Sequence, residues 1–140
     1  GSAAESGAQA QYGVRNSETN LGNLVADAVR FAAGTDLAIQ NGGGIRTSIR
    51  AGEVSAGDVF NVLPFTNLIV QFRGLDAGQL RILMEHALAN ASPDGAASGR
   101  FAQVSGLHIV YDSRRPPLQL DKIEMPKAPP PSQRLVRKCS

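Results

Sequence analysis

The run Leu37-Ala38-Ile39-Gln40-Asn41-Gly42-Gly43-Gly44-Ile45-Arg46 decides how this chain is read. A short apolar strand enters three successive glycines and leaves through an arginine. Glycines remove every side chain from the turn, so its backbone is free to take φ > 0 and to lie close against a ligand. A plain turn needs one or two glycines; a third, followed by a guanidinium, suits a loop that grips something polar and anionic. Gly43 and Gly44 are therefore expected against the ligand, with Arg46 as its phosphate contact in preference to a structural ion pair. Asn41 suits a ligand hydroxyl, and equally suits a turn held by its own local hydrogen bonds.

Working outward, Leu21, Leu24, Val25, Ala28, Val29 and Ala32 recur at helical spacing. They predict a helix over 20–33, capped by Thr19 or Asn20 and ended by Gly34. Residues 36–40 read as a strand and 52–54 as a brief extended piece. Ser55 with Asp58 three residues on predicts a short helix to about Val62. Leu68-Ile69-Val70-Gln71-Phe72 reads as a strand, being β-branched and aromatic. Asp76 and Gln79 mark a further helix start, with Leu80, Leu83, Met84, Ala87 and Leu88 on its apolar face. A Gly/Ser/Ala loop over 92–100 precedes two strands, 101–105 and 107–111, and 118–125 offers one more. The class expected is α+β, a compact mixed domain of short strands packed with about three helices.

The 140 residues, 42% apolar and 19% charged, bound one soluble domain with little left for a second. No run approaches the roughly 18 apolar residues of a membrane span, and the N-terminus lacks the pattern of a signal peptide. Residues 1–10, Gly1-Ser2 and a small-residue stretch, read as a tag remnant and mobile lead-in. Residues 11–124 read as the domain, and 125–140 as a Pro-rich basic tail without fixed structure. One cysteine, Cys139, excludes an internal disulfide. The net charge of +2 is uneven: residues 1–113 carry seven Arg and no Lys against ten acids, whereas 114–140 carry seven basic residues against two. The surplus belongs to the tail, so no nucleic-acid partner is read from it.

Four motifs stand in order: Arg15-Asn-Ser-Glu-Thr-Asn-Leu-Gly-Asn23, Asn41-Gly-Gly-Gly-Ile-Arg46, Val62-Leu-Pro-Phe65 and Phe101-Ala-Gln-Val-Ser-Gly106. From about Val14 to Asp112 the series resembles the C-terminal domain of the 5′-nucleotidase and UDP-sugar hydrolase family. The resemblance implies that Arg15 contacts substrate and that Asn41 and Arg46 hold ribose hydroxyls and phosphate. It further implies that Phe65 stacks on the nucleobase and that Asn67 touches the base. On local sequence alone, Phe65 between Pro64 and Thr66-Asn67 is as readily a core residue, and Arg15 a surface charge. Glu18 and Asn20 are expected to organise the helix start, Phe101 to pack in the core, and His86 and His108 to be structural.

Two features of the family pattern are not found. There is no Asp-x-His and no Gly-Asn-His-Asp, and the histidines are His86 and His108 alone. A two-metal hydrolase needs a cluster of such ligands. The proline-rich tail stands where the family continues to a Gly-Gly-Asp-Gly-aromatic segment that supplies the second ring of the base clamp, so weak affinity is expected. The function implied is the nucleotide-binding domain of a metallophosphohydrolase. Its partner is an N-terminal metallophosphoesterase domain carrying two divalent ions (Zn, Mn or similar), in a periplasmic, secreted or surface setting. This chain itself would hold no cofactor. The alternative is a non-catalytic nucleotide- or protein-binding module.

Overall fold

A computed structural model describes residues 13–89, 97–112 and 120–125. The lead-in, the tail beyond residue 125 and part of the loop expected over 92–100 lie outside the described residues. Three helices stand where capping chemistry places them. In α1 (Asn20–Ala33) the Thr19 hydroxyl accepts from the Gly22 amide at 3.0 Å, and Gly34 ends the helix at φ 63°. Such a left-handed C-cap suits a residue without Cβ. Helices α2 (Ala56–Val62) and α3 (Ala77–Leu88) each open on a complete capping box, Ser55 with Asp58 and Asp76 with Gln79. Each box satisfies two backbone donors that the first turn leaves unpaired.

Four short strands form two antiparallel ladders. Strand β1 (Ala38–Asn41) pairs with β2 (Ala102–Ser105), setting Asn41 opposite Ala102. Strand β3 (His108–Tyr111) pairs with β4 (Leu120–Glu124), with an irregularity at Val110 and Tyr111. Gly106 joins β2 to β3 at φ 77°, where a Cβ would stand 2.3 Å from the Asp36 carbonyl oxygen. The class is α+β, as expected.

Apolar residues gather in two clusters. Leu80, Met84, Ala87 and Leu88 of α3 pack with Phe101, Ala102, Leu107 and Leu120. Val14, Val25, Ile45 and Val62 form the second. That second cluster draws on a helical turn at 13–16, on α1, on the residue after the glycine triplet and on the end of α2. Burial of these four side chains therefore locates the loop that carries Arg46.

Three expectations fail. Leu68–Phe72 forms no ladder among the described residues. Leu68, Val70 and Phe72 are 88%, 68% and 76% exposed. The Gln71 side chain turns the other way and donates to the Ala33 carbonyl at 2.7 Å. The residue types have high strand propensity, but a strand is made by its neighbour, and no described strand pairs with this one. Leu83 is not on the packed face of α3 but 42% exposed; the buried positions are Leu80, Met84, Ala87 and Leu88, and Leu83 falls outside their stripe. Residues 52–54 make no strand either, and Gly52 bends the chain at φ 130°.

Candidate functional site

The glycine triplet coils into one 3-10 turn at Gly42–Gly44. None of the three has positive φ; among the described residues the glycines that do are Gly34, Gly52, Gly74 and Gly106. The expectation of left-handed backbone here is thus corrected, and the physical reason for glycine is close packing against the protein itself. A Cβ on Gly42 would stand 1.9 Å from the Val14 carbonyl oxygen, and one on Gly43 2.9 Å from the Gly99 backbone. On Gly44 it would meet the Gln40 amide nitrogen at 2.5 Å. Real Cβ atoms do not approach backbone so closely, so Gly42 and Gly43 are closed to larger residues, whereas at Gly44 the Gln40 side chain would have to shift.

Backbone hydrogen bonds tie this turn to the loop before β2. The Gly42 amide donates to the Phe101 carbonyl at 2.7 Å and the Gly43 amide to the Gly99 carbonyl at 2.8 Å. The Ser98 amide donates to the Arg15 carbonyl at 3.0 Å, which draws the 13–16 turn into the same assembly. Asn41 commits its side chain to this framework. Its Nδ2 donates to the Gly99 carbonyl at 3.3 Å and its Oδ1 accepts from Gln40 Nε2 at 3.2 Å. One Nδ2 hydrogen and part of the Oδ1 acceptor capacity are left for another partner.

Arg46 is aimed by both of its halves. Its amide donates to the Val62 carbonyl at the end of α2 at 2.9 Å, and Nη1 donates to the Gly43 carbonyl at 3.1 Å. Its guanidinium lies 5.7 Å from the centroid of the Phe65 ring, within cation–π range. Phe65 is 53% exposed, so it is not a core residue. Asn67 is exposed two residues further on, and its amide donates to the Phe65 carbonyl at 2.9 Å. Arg15 is partly buried beside Gly42, and its Nε is buried with no hydrogen-bond partner. Such an unsatisfied N–H costs about 1–3 kcal/mol. The structure therefore gathers Arg15, Asn41, Gly43, Gly44 and Arg46 around one turn, with Phe65 under Arg46 and Asn67 beside Phe65.

The family described as 5′-nucleotidase, C-terminal domain, matches residues 1–136. The chain belongs to this family. It is 39% identical over 108 residues to the trifunctional nucleotide phosphoesterase protein YfkN of Bacillus subtilis, covering 74% of this chain and 7% of that protein. It is 39% identical over 92 residues to the protein UshA of Escherichia coli, covering 66% of this chain and 16% of that protein. The 5′-nucleotidase precursor of Thermus thermophilus, a solved structure, superposes with a TM-score of 0.67 at 36% identity, over 82% of this chain and 23% of that one. The chain thus spans less than a quarter of each of these relatives.

In this 5′-nucleotidase C-terminal domain, the residue that sequence reasoning missed is Gln103. It is 1% exposed. Its Nε2 donates to the carbonyls of Val14 at 3.0 Å and Ser17 at 2.7 Å, and its Oε1 accepts from the Thr19 amide at 3.2 Å. One amide thereby holds the loop from Arg15 to the start of α1. Gly22 must be small for the same reason, since a Cβ there would stand 2.0 Å from Gln103 Oε1. The first and fourth motifs are two sides of one contact. The signal that could have found it was a lone amide in an otherwise small and apolar strand.

Two further groups shape the surroundings. Ser105 Oγ donates to Asp27 Oδ1 and accepts from Arg30 Nη1 at 3.4 Å, fastening α1 to β2. Burial raises the Tyr111 hydroxyl pKa, and the Glu18 carboxylate adds to the effect. Glu18 accepts from Asn23 Nδ2 at 2.7 Å, the organising role expected of it. His108 is exposed on β3, with Nδ1 4.0 Å from Glu124. Among the described residues no group of three or more His, Cys, Asp or Glu side chains could hold a metal ion. They do not fit a two-metal centre.

Proposed function

We propose that this chain is the nucleotide-holding domain of a 5′-nucleotidase-like metallophosphohydrolase. The observation that carries the reading is the Arg46 guanidinium 5.7 Å from the half-exposed Phe65 ring, at the mouth of the Asn41–Gly44 turn. An exposed ring stacks a base at roughly 1–3 kcal/mol without regard to its identity. A guanidinium binds phosphate through two parallel hydrogen bonds. Asn41 retains donor and acceptor capacity for ribose hydroxyls, the tightly packed Gly43 and Gly44 hold the turn that sets Asn41 and Arg46 around the ligand, and Asn67 reaches the base edge. Arg15, with an unsatisfied Nε, completes the phosphate contacts.

On this reading, phosphoester chemistry and its two divalent ions belong to a separate N-terminal phosphoesterase domain of the parent protein. The small share of each relative that this chain covers supports that division. The setting proposed is periplasmic, secreted or cell-surface, by resemblance. Isothermal titration of AMP should give weak binding that Phe65→Ala and Arg46→Ala each reduce by about 5- to 100-fold. Unchanged affinity in both variants would sink the site. The chain alone should release no phosphate from AMP with Mn²⁺. Release that tracks the protein through chromatography would sink the division of labour.

The second reading, a non-catalytic module, is favoured by the exposed apolar face of Leu68, Val70 and Phe72, which suits a protein partner. An unrelated upstream coding sequence would support it; an Asp-x-His and Gly-Asn-His-Asp block would remove it.

A further inference from the structure

Asn41–Gly42 is the only Asn-Gly pair in the chain. Asparagine before glycine is the dipeptide most open to spontaneous loss of its side-chain amide, because no Cβ on the following residue shields the backbone nitrogen. In that reaction the Gly42 nitrogen attacks Asn41 Cγ and gives up its proton, and Nδ2 departs as ammonia. The five-membered imide then takes up water. Opening at Cγ gives aspartate. Opening at the Asn41 backbone carbonyl gives isoaspartate, with the main chain routed through the side chain. Asn41 is exposed, so water reaches it.

The folded turn holds each reacting group away from that path. The nucleophile, the amide of buried Gly42, donates to the Phe101 carbonyl at 2.7 Å. The carbon it must reach belongs to an extended residue, Asn41 at φ −71° and ψ 133°. In the imide the nitrogen stands between two carbonyl carbons whose oxygens point apart. Here those same two oxygens converge on one donor: Gln40 Nε2 donates to Asn41 O at 3.1 Å and to Oδ1 at 3.2 Å. The leaving group is occupied as well, since Nδ2 donates to the Gly99 carbonyl at 3.3 Å. Each bond is ordinary alone; together they oppose a single ring closure.

We propose that Asn41–Gly42 is a modification site latched by the glycine turn: the closed turn preserves the Asn41 amide, and each opening exposes it to irreversible conversion. The product cannot close again in the same way. An aspartate at position 41 offers the Gly99 carbonyl an acceptor in place of a donor. An isoaspartate adds a backbone atom to the last residue of β1, which stands opposite Ala102, and displaces the turn that follows. Conversion therefore counts openings of the Gly42–Phe101 and Gly43–Gly99 hydrogen bonds, a local event distinct from global unfolding. The proposal holds whatever the turn binds.

Peptide mapping tests it. Trypsin releases residues 31–46 as one peptide in which Asn41 is the only asparagine. Its aspartyl and isoaspartyl forms separate from the amide by chromatography and mass. During incubation at mildly alkaline pH, the folded chain should convert at least about tenfold more slowly than the same chain in denaturing urea, the fraction of open turn setting the ratio. Gln40→Ala removes the clamp, keeps the Asn-Gly pair, and should raise the folded rate by about threefold or more. Asn41→Asp, the product made directly, should melt at a lower temperature than the parent chain. Equal rates in the folded and urea-unfolded chain overturn the proposal. So does a Gln40→Ala variant that keeps a folded amide spectrum and converts no faster. If Gln40→Ala does not fold, the folded-against-unfolded comparison of the parent chain decides alone. An Asn41→Asp chain as stable as the parent would contradict the irreversible step.

Discussion

Residues 42–46 and residues 68–72 are separated by one short helix and a turn, and they are held in opposite ways. Gly42 and Gly43 bond their amides to a partner loop and pack too tightly against backbone for a Cβ, and Ile45 is buried beneath them. Leu68–Phe72 has stronger strand-forming residues, yet among the described residues it meets no strand and shows water an apolar face. Local preference is higher in the second region and positional definition is higher in the first. What fixes the backbone here is non-local packing and hydrogen bonding, and the candidate ligand site is built on that framework.

The largest expected effect is at the packed region. Gly42→Ala should cost about 3 kcal/mol or more in urea unfolding, because its Cβ meets a carbonyl that the core holds in place. A loss below about 1 kcal/mol would mean that the turn is soft and the contrast false. Next, Gln103→Ala should cost about 2–4 kcal/mol by leaving two carbonyls and one amide without their partner. It should also relieve most of the penalty of Gly22→Ala, since both contend for one space. Strict additivity of the two changes would contradict that interlock.

A smaller effect is expected at α2, whose last turn anchors Arg46. Ser55→Ala should cost about 0.5–1 kcal/mol through loss of the N-cap. The Asp58 carboxyl is held below its usual pKa, first by the Ser55 side-chain hydrogen bond and then by the Ser55 backbone N–H. A depressed folded pKa stabilises above the ordinary carboxylate range, and that contribution is lost as the pH falls through and below it. Acid unfolding of the Ser55→Ala variant should therefore be less steep in this window. The smallest effect belongs to the unpaired run. Val70→Lys, on the face that points into water, should change stability by no more than about 0.5 kcal/mol and raise solubility. A loss of several kcal/mol would show that the run is covered after all.

The parts of the fold that could be read from sequence are those fixed within a few residues. Thr19, Ser55 with Asp58, Asp76 with Gln79, and Gly34 act over two to four positions, and the helices begin or end where those residues place them. The glycine turn was recognised as special for a different reason from the one the structure supplies. Its neighbours Val14 and Gly99 are distant in the chain, so the demand for small residues was visible and its cause was not. Gln103 escaped notice because its partners lie 84 to 89 residues away. Leu68–Phe72 was misread because strand propensity says which residues suit a sheet and nothing about whether a partner is there. Arg15, Arg46 and Phe65 are legible in the order of the motifs.

The most direct measurement is an amide-resolved NMR titration of the chain with AMP, comparing the two regions in one spectrum. We expect shifts at Gly42–Arg46 and Phe65, larger than those adenosine produces, and none at Leu68–Phe72. Shifts confined to the exposed run, or none anywhere at millimolar AMP, would contradict the claim that the packed turn is a nucleotide site.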